Sequence, residues 1–90
     1  MPYIKQDRRS AILMKDHSPD VFINTAEISK MGELNFAIST LCKLYLDKQG
    51  KNYTTINDII GVLECAKLEC YRQVAASYEN QKKSENGPVY

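Results

Sequence analysis

From Gly32 onward, Leu34, Ala37, Ile38, Leu41, Leu44 and Tyr45 recur at spacings of three and four. That spacing lines one face and predicts an amphipathic α-helix. The polar run Asp47-Lys48-Gln49-Gly50 ends it, with glycine just past the last turn. A second helix is expected from Thr54 or Thr55, where Thr55 and Asp58 form a capping box with Asp in place of Glu or Gln. Ile56, Ile59, Ile60, Leu63, Ala66, Cys70, Val74 and Ser77 then mark one face at about 100° per residue. This helix ends between Gln81 and Gly87, because Pro88 cannot continue it. Gly61 interrupts it at a cost of about 1 kcal/mol against Ala, which predicts a close backbone contact there.

The first third is patterned less clearly. Residues 8–15 contain Ala11, Ile12, Leu13 and Met14 and read as a short helix after an extended start. His17-Ser18-Pro19-Asp20 reads as a turn. Val21-Phe22-Ile23 is apolar and β-branched but has no evident partner strand. It, or a short helix over residues 25–31, is expected to dock on the two long helices. Phe36 and Leu46 lie off the main stripe of their helix, to be covered by a second copy or by the N-terminal third. Tyr3, Ile4, Val89 and Tyr90 stand near prolines and are expected to lie against the helices or a neighbouring subunit. The expected fold is all-α: one domain over residues 1–90 with two long antiparallel helices, a shorter N-terminal helical element and extended termini.

Composition narrows the class. With 43% hydrophobic and 26% charged residues, the chain is too apolar for disorder and too polar for a membrane protein. Twelve Lys and Arg against eleven Asp and Glu leave a net charge of +1, which argues against a nucleic-acid binder. Arg8-Arg9 and Lys82-Lys83 are pairs beside acidic neighbours and do not change that. No run approaches the ~20 apolar residues that span a bilayer, and the N-terminus has no signal-peptide pattern. A cytoplasmic setting is expected, the host cytoplasm if the protein is phage-encoded. Cys42, Cys65 and Cys70 are read as reduced, buried, inert thiols. Cys65 and Cys70 are five apart and far from His17, so neither a metal site nor a cofactor is expected.

The candidate chemistry lies on the last helix. With Ile56 at zero, Lys67 projects at about 20° into the apolar arc, with Tyr71 at about 60° and Glu64 at about 80°. A lysine there must be paired or open onto a cavity. One reading is a Glu64–Lys67 pair at the bundle edge. The other is a pocket or subunit interface where Lys67 meets an anion and Tyr71 supplies a flat wall. Glu69, Arg72 and Gln73 form a solvated stripe in which Arg72 is the best planar anion clamp. Glu33 and Asn35 are a first-turn carboxylate and an adjacent polar contact. No nucleophile elbow, phosphate loop or metal motif is present, and the chain is read as non-enzymatic.

The blocks Met1-Pro-Tyr-Ile-Lys-Gln6, Gly32-Glu-Leu-Asn-Phe-Ala-Ile38, Ile60-Gly-Val-Leu-Glu-Cys-Ala-Lys67 and Glu69-Cys-Tyr-Arg72, with the ending Glu85-Asn-Gly-Pro-Val-Tyr90, carry a resemblance. They resemble an uncharacterised family of short proteins of phage and prokaryotic genomes. The resemblance spans nearly the whole chain, with residues 10–31 the divergent part. It implies a small helical protein and carries no activity over to this chain. Glu33, Asn35, Glu64, Lys67, Tyr71 and Arg72 stand inside the matching blocks. Cys70 and Pro88 depart from the aromatic and the acidic residue that the resemblance leads one to expect there.

Two functions follow as expectations. The first is a small binding protein, acting as a homo-oligomer on a host protein or an anionic small molecule in a counter-defence role. The second is a structural or assembly component of a phage particle or other complex.

Overall fold

Lys5 is extended, at φ −63° and ψ 152°, and leads into the first helix, α1, Gln6–Ile12. The computed structural model describes residues 2–15 and 21–90 of the chain. Asp7 sits in the first turn of α1, where a carboxylate suits the helix dipole, and Ile12 at its end is fully buried. At Leu13 the backbone turns extended, φ −87° and ψ 103°. A three-residue strand follows, β1, Leu13–Lys15, paired antiparallel with β2, Val21–Ile23. The register sets Leu13 opposite Ile23, Met14 opposite Phe22 and Lys15 opposite Val21.

The expected helix over residues 8–15 is therefore shorter, and Val21-Phe22-Ile23 does have a partner. The cause is local. Leu13, Val21 and Ile23 favour extended backbone, and pairing two short strands satisfies N–H and C=O groups that neither could satisfy alone. The Asn24 N–H extends the pairing by donating to the Ile12 carbonyl at 2.7 Å. Asn24 also caps a 3-10 turn, Thr25–Glu27, its side chain accepting from the Ala26 N–H at 3.2 Å. The turn expected at His17-Ser18-Pro19-Asp20 lies outside the described residues.

The helix α2 spans Met31–Gln49 and stops at Gly50, whose φ of 98° lies in the region that favours glycine. The Gly50 N–H donates to the Leu46 carbonyl at 2.9 Å. α2 buries Glu33 and Ala37, on the same row of the helix. Of the stripe that predicted the helix, Ala37 is buried, whereas Leu34, Ile38 and Leu41 remain 51%, 41% and 58% exposed. Leu34 lies about 100° around the helix from Glu33, and Ile38 about 100° from Ala37. Phe36 is half-buried with the Arg9 guanidinium over its ring, so the N-terminal third covers that edge.

The chain divides into two compact units, Met1–Gly50 and Lys51–Tyr90. The second is one continuous helical run: α3, Tyr53–Cys70, then a π turn, Tyr71–Ala75, then α4, Ala76–Asn86. Its cap is Asn52 rather than Thr55. The Asn52 Oδ1 accepts from the Thr55 N–H at 2.9 Å, so the helix starts a residue earlier than expected. Gly87, at φ 89°, ends it. Gly61 has no close contact: a Cβ built there would meet nothing within 4 Å.

The fold is thus helical, with two long helices, a short N-terminal one and one small hairpin. No described helix is long and apolar enough to cross a membrane. Residues 2–5 and 87–90 lie outside the helices. The Ile4 carbonyl accepts from Arg9 Nε at 3.0 Å, but Tyr3, Val89 and Tyr90 stand in solvent and do not dock on this chain. Such ends have too few apolar and hydrogen-bonding contacts to offset their ordering. The thiols also depart from expectation. Cys42 is half-buried, while Cys65 and Cys70 are exposed on α3 and all three are free.

Candidate functional site

Glu33 is the most constrained of the candidate residues. It is the third residue of α2, within reach of the donors preceding the helix. Its carboxylate accepts from the Ser29 N–H at 3.0 Å and from the Ser29 hydroxyl at 3.2 Å. Arg8 Nε donates to the other oxygen at 2.5 Å. The remaining Arg8 nitrogens reach Glu27, one to its carbonyl at 2.7 Å and one to its carboxylate at 3.4 Å. The hydrogen bond from Arg8, and after it the Ser29 N–H, hold Glu33 down to about 2, against the opposing effect of desolvation. Glu33 is 3% exposed. It caps α2 and ties it to α1 and the 3-10 turn, and its oxygens are occupied from within. Asn35, on the exposed side, accepts from the Ser39 hydroxyl at 3.1 Å.

The other four candidates lie along the second unit. Lys67 pairs with Glu64 at 2.9 Å, and both side chains are more than half exposed. Pairs of this kind contribute little to stability, about 0.3–0.5 kcal/mol. Arg72 approaches Glu69 at 3.7 Å, again in solvent. The Tyr71 hydroxyl donates to Glu79 at 3.4 Å, eight residues on. A regular α-helix would set those two positions about 80° apart around its axis. The π turn that Tyr71 opens is wider and underwinds the chain, bringing residue 79 back toward residue 71. Tyr71 therefore bonds forward to Glu79 rather than joining Lys67 and Glu64 in one cluster.

These polar groups border an uncovered apolar face. Ile56, Ile60, Leu63, Val74 and Tyr78 are all exposed, Val74 by 63%. Positions 56, 60, 63, 67 and 70 of α3 alternate in steps of four and three, the spacing of a coiled-coil seam, with Lys67 inside it, and the π turn carries Val74 and Tyr78 off that line.

A family model aligns with residues 1–89. The chain belongs to that family, Domain of unknown function (DUF6899). No curated protein and no solved structure matches the chain.

The partners that sequence reasoning missed are Arg8 and Ser29. Ser29 and Glu33 are one residue off the spacing of a capping box, a signal that could have been found. Arg8 lies 25 residues from Glu33, and no periodicity reports that pairing.

Proposed function

We propose that this DUF6899 protein is a non-enzymatic binding protein that acts as a homo-oligomer through the apolar face of its long helical run. The reading rests on the exposed seam of Ile56, Ile60 and Leu63, which water penalises until another apolar face covers it. A second copy fits that seam. Side by side in parallel, two copies would set Lys67 against Lys67. Antiparallel, with the two-fold axis between Cys65 and Ala66, each Lys67 meets the Glu64 of the other copy. A single polar residue in an apolar seam is a known device for fixing such a register. The oligomer would then present its remaining surface to a protein partner, a host protein if the chain is phage-encoded. A structural role in a larger assembly draws on the second exposed stripe, Leu34, Ile38 and Leu41 on α2.

Sedimentation equilibrium at micromolar concentration tests this. A discrete small oligomer is expected, and Ile60→Glu should raise its dissociation constant by about tenfold or more. A clean monomer would overturn the oligomer reading. Open-ended association that Ile60→Glu leaves intact would favour the assembly role.

A further inference from the structure

Arg8 and Arg9 are neighbours in sequence with opposite surroundings. Each of the three Arg8 guanidinium nitrogens donates to Glu33 or Glu27, as described above. Arg9 donates only its Nε–H, to the Ile4 carbonyl at 3.0 Å. A guanidinium carries five N–H donors. The four on its terminal nitrogens meet no acceptor, and no carboxylate pairs with Arg9, among the described residues. Yet the group is half-buried and fixed in place: it lies over the Phe36 ring, 5.4 Å from the centroid.

Arg9 and Phe36 line a cleft of about 630 Å³ between α1 and α2. That volume falls within the range of roughly 300–1,000 Å³ usual for small-molecule sites. From α1 come Gln6, Arg9 and Ser10, spaced as one helical face, and Leu13 follows at the start of β1. From α2 come Phe36, Thr40, Lys43 and Leu44, likewise one face. The lining holds two cations and no acid. Thr40 donates its hydroxyl to the Phe36 carbonyl at 2.8 Å and adds no charge. Lys43 reaches Asp47 at 2.7 Å, outside the lining, in an exposed pair that a competing anion could displace at little cost. Phe36, Leu13 and Leu44 supply the apolar walls.

We propose that this cleft binds a small organic oxyanion, with its phosphate or carboxylate held by Arg9 and its flat apolar body against Phe36, Leu13 and Leu44. The planar fork suits such a head group, because its two terminal nitrogens can donate in parallel to two oxygens. Lys43 adds a second, mobile charge at the rim. The site is separate from the seam of the long helix, so it stands or falls without the oligomer.

Amide NMR spectra of the full chain, titrated with phenyl phosphate, phenylacetate, inorganic phosphate and benzyl alcohol, provide the test. Phenyl phosphate or phenylacetate should give saturable shifts at residues 6–13 and 36–44, and neutral benzyl alcohol should not. Inorganic phosphate should bind there about tenfold more weakly than phenyl phosphate, lacking a body for the apolar walls. Arg9→Gln should weaken binding by about tenfold or more, and Arg72→Gln should leave it unchanged. Ser10→Leu, which narrows the cleft but keeps Arg9, should also weaken it, and it decides the matter if Arg9→Gln does not fold. The proposal is overturned if none of the anions gives saturable shifts in the cleft. Shifts centred on Lys67 and Arg72, binding unaltered in a folded Arg9→Gln or in Ser10→Leu, or equal binding of inorganic and phenyl phosphate would reject it as well.

Discussion

Glu33 in the first unit is 3% exposed, whereas Lys67 in the second keeps 68% of its side chain in water. Both are charged residues set among apolar neighbours on a long helix. The difference lies in what surrounds them. Around Glu33 the chain brings α1, the 3-10 turn and Ser29 together, so the carboxylate is desolvated and at the same time supplied with donors. Around Lys67 there is only the next turn of the same helix, and Glu64 is the only acid within reach of it among the described residues. A buried carboxylate with its donors in place determines which elements meet and how. An exposed pair within one helix determines neither. The first unit therefore holds its arrangement by a long-range contact, and the second holds its shape by helix hydrogen bonds and side-chain pairs within its own helical run. Apart from Thr55, α3 and α4 bury no side chain.

The largest expected effect comes from breaking the buried tie. Glu33→Gln keeps the volume but removes the charge, leaving Arg8 with the weaker Glu27 contact and Ser29 with a poorer acceptor. The melting temperature of the first unit should fall by about 10 °C, the scale of losing one partner of a buried pair in a chain this size. Backbone amides of residues 6–12 and 31–37 should lose exchange protection, while those of α3 and α4 keep theirs. Equal loss in both units would mean that the two are not independent in stability. Lys67→Gln, the matching change in the second unit, should alter the melt by no more than a surface substitution does.

Acid sharpens the same contrast more gently. Glu33 titrates at about 2 in the folded protein against 4.5 for an ordinary carboxylate. Its folded value is depressed, so its contribution is complete above about pH 5. The contribution fades as pH falls through 4.5 and is gone below about 2. Melting temperatures of the wild type should therefore fall across that window, and those of Glu33→Gln should fall less. The two curves should converge near pH 2. Parallel curves throughout would show that Glu33 does not carry the acid sensitivity.

How much of this was legible in the sequence follows from the range of each interaction. The bounds of α2 and the end of α4 were readable because Gly50 and Gly87 act locally, through their own φ. The Glu64–Lys67 and Glu69–Arg72 pairs were readable because a helix fixes neighbours three apart. The hairpin was not, since three-residue strands are too short for an alternating pattern to stand out from Ala11-Ile12-Leu13-Met14. The face of α2 that meets α1 was misread for a related reason. Its apolar stripe at Leu34, Ile38 and Leu41 is the stronger pattern, yet the packed row is that of Glu33 and Ala37. A charged residue is counted as surface unless its partner is known, and Arg8 is named by no local rule. The cleft beneath Arg9 needs two helices to cross and was out of reach for the same reason.

The smallest expected effect tests whether the second unit depends on anything beyond its own helix. Gly61 lies in the interior of α3, exposed, with open space where a Cβ would be. Glycine there has a flexibility cost and no compensating contact within the chain. Gly61→Ala should stabilise the helix by about 0.8–1 kcal/mol, seen as a higher midpoint in urea for the helical signal. At about 100° per residue Gly61 lies some 140° from Ile56, away from the seam. Self-association should therefore be unchanged when Gly61→Ala is measured by sedimentation. If Gly61→Ala instead dissociated the oligomer, the close approach that glycine permits would lie between copies. The contact surface would then be the Gly61 side of the helix, and Ile56 and Leu63 would no longer be expected to take part.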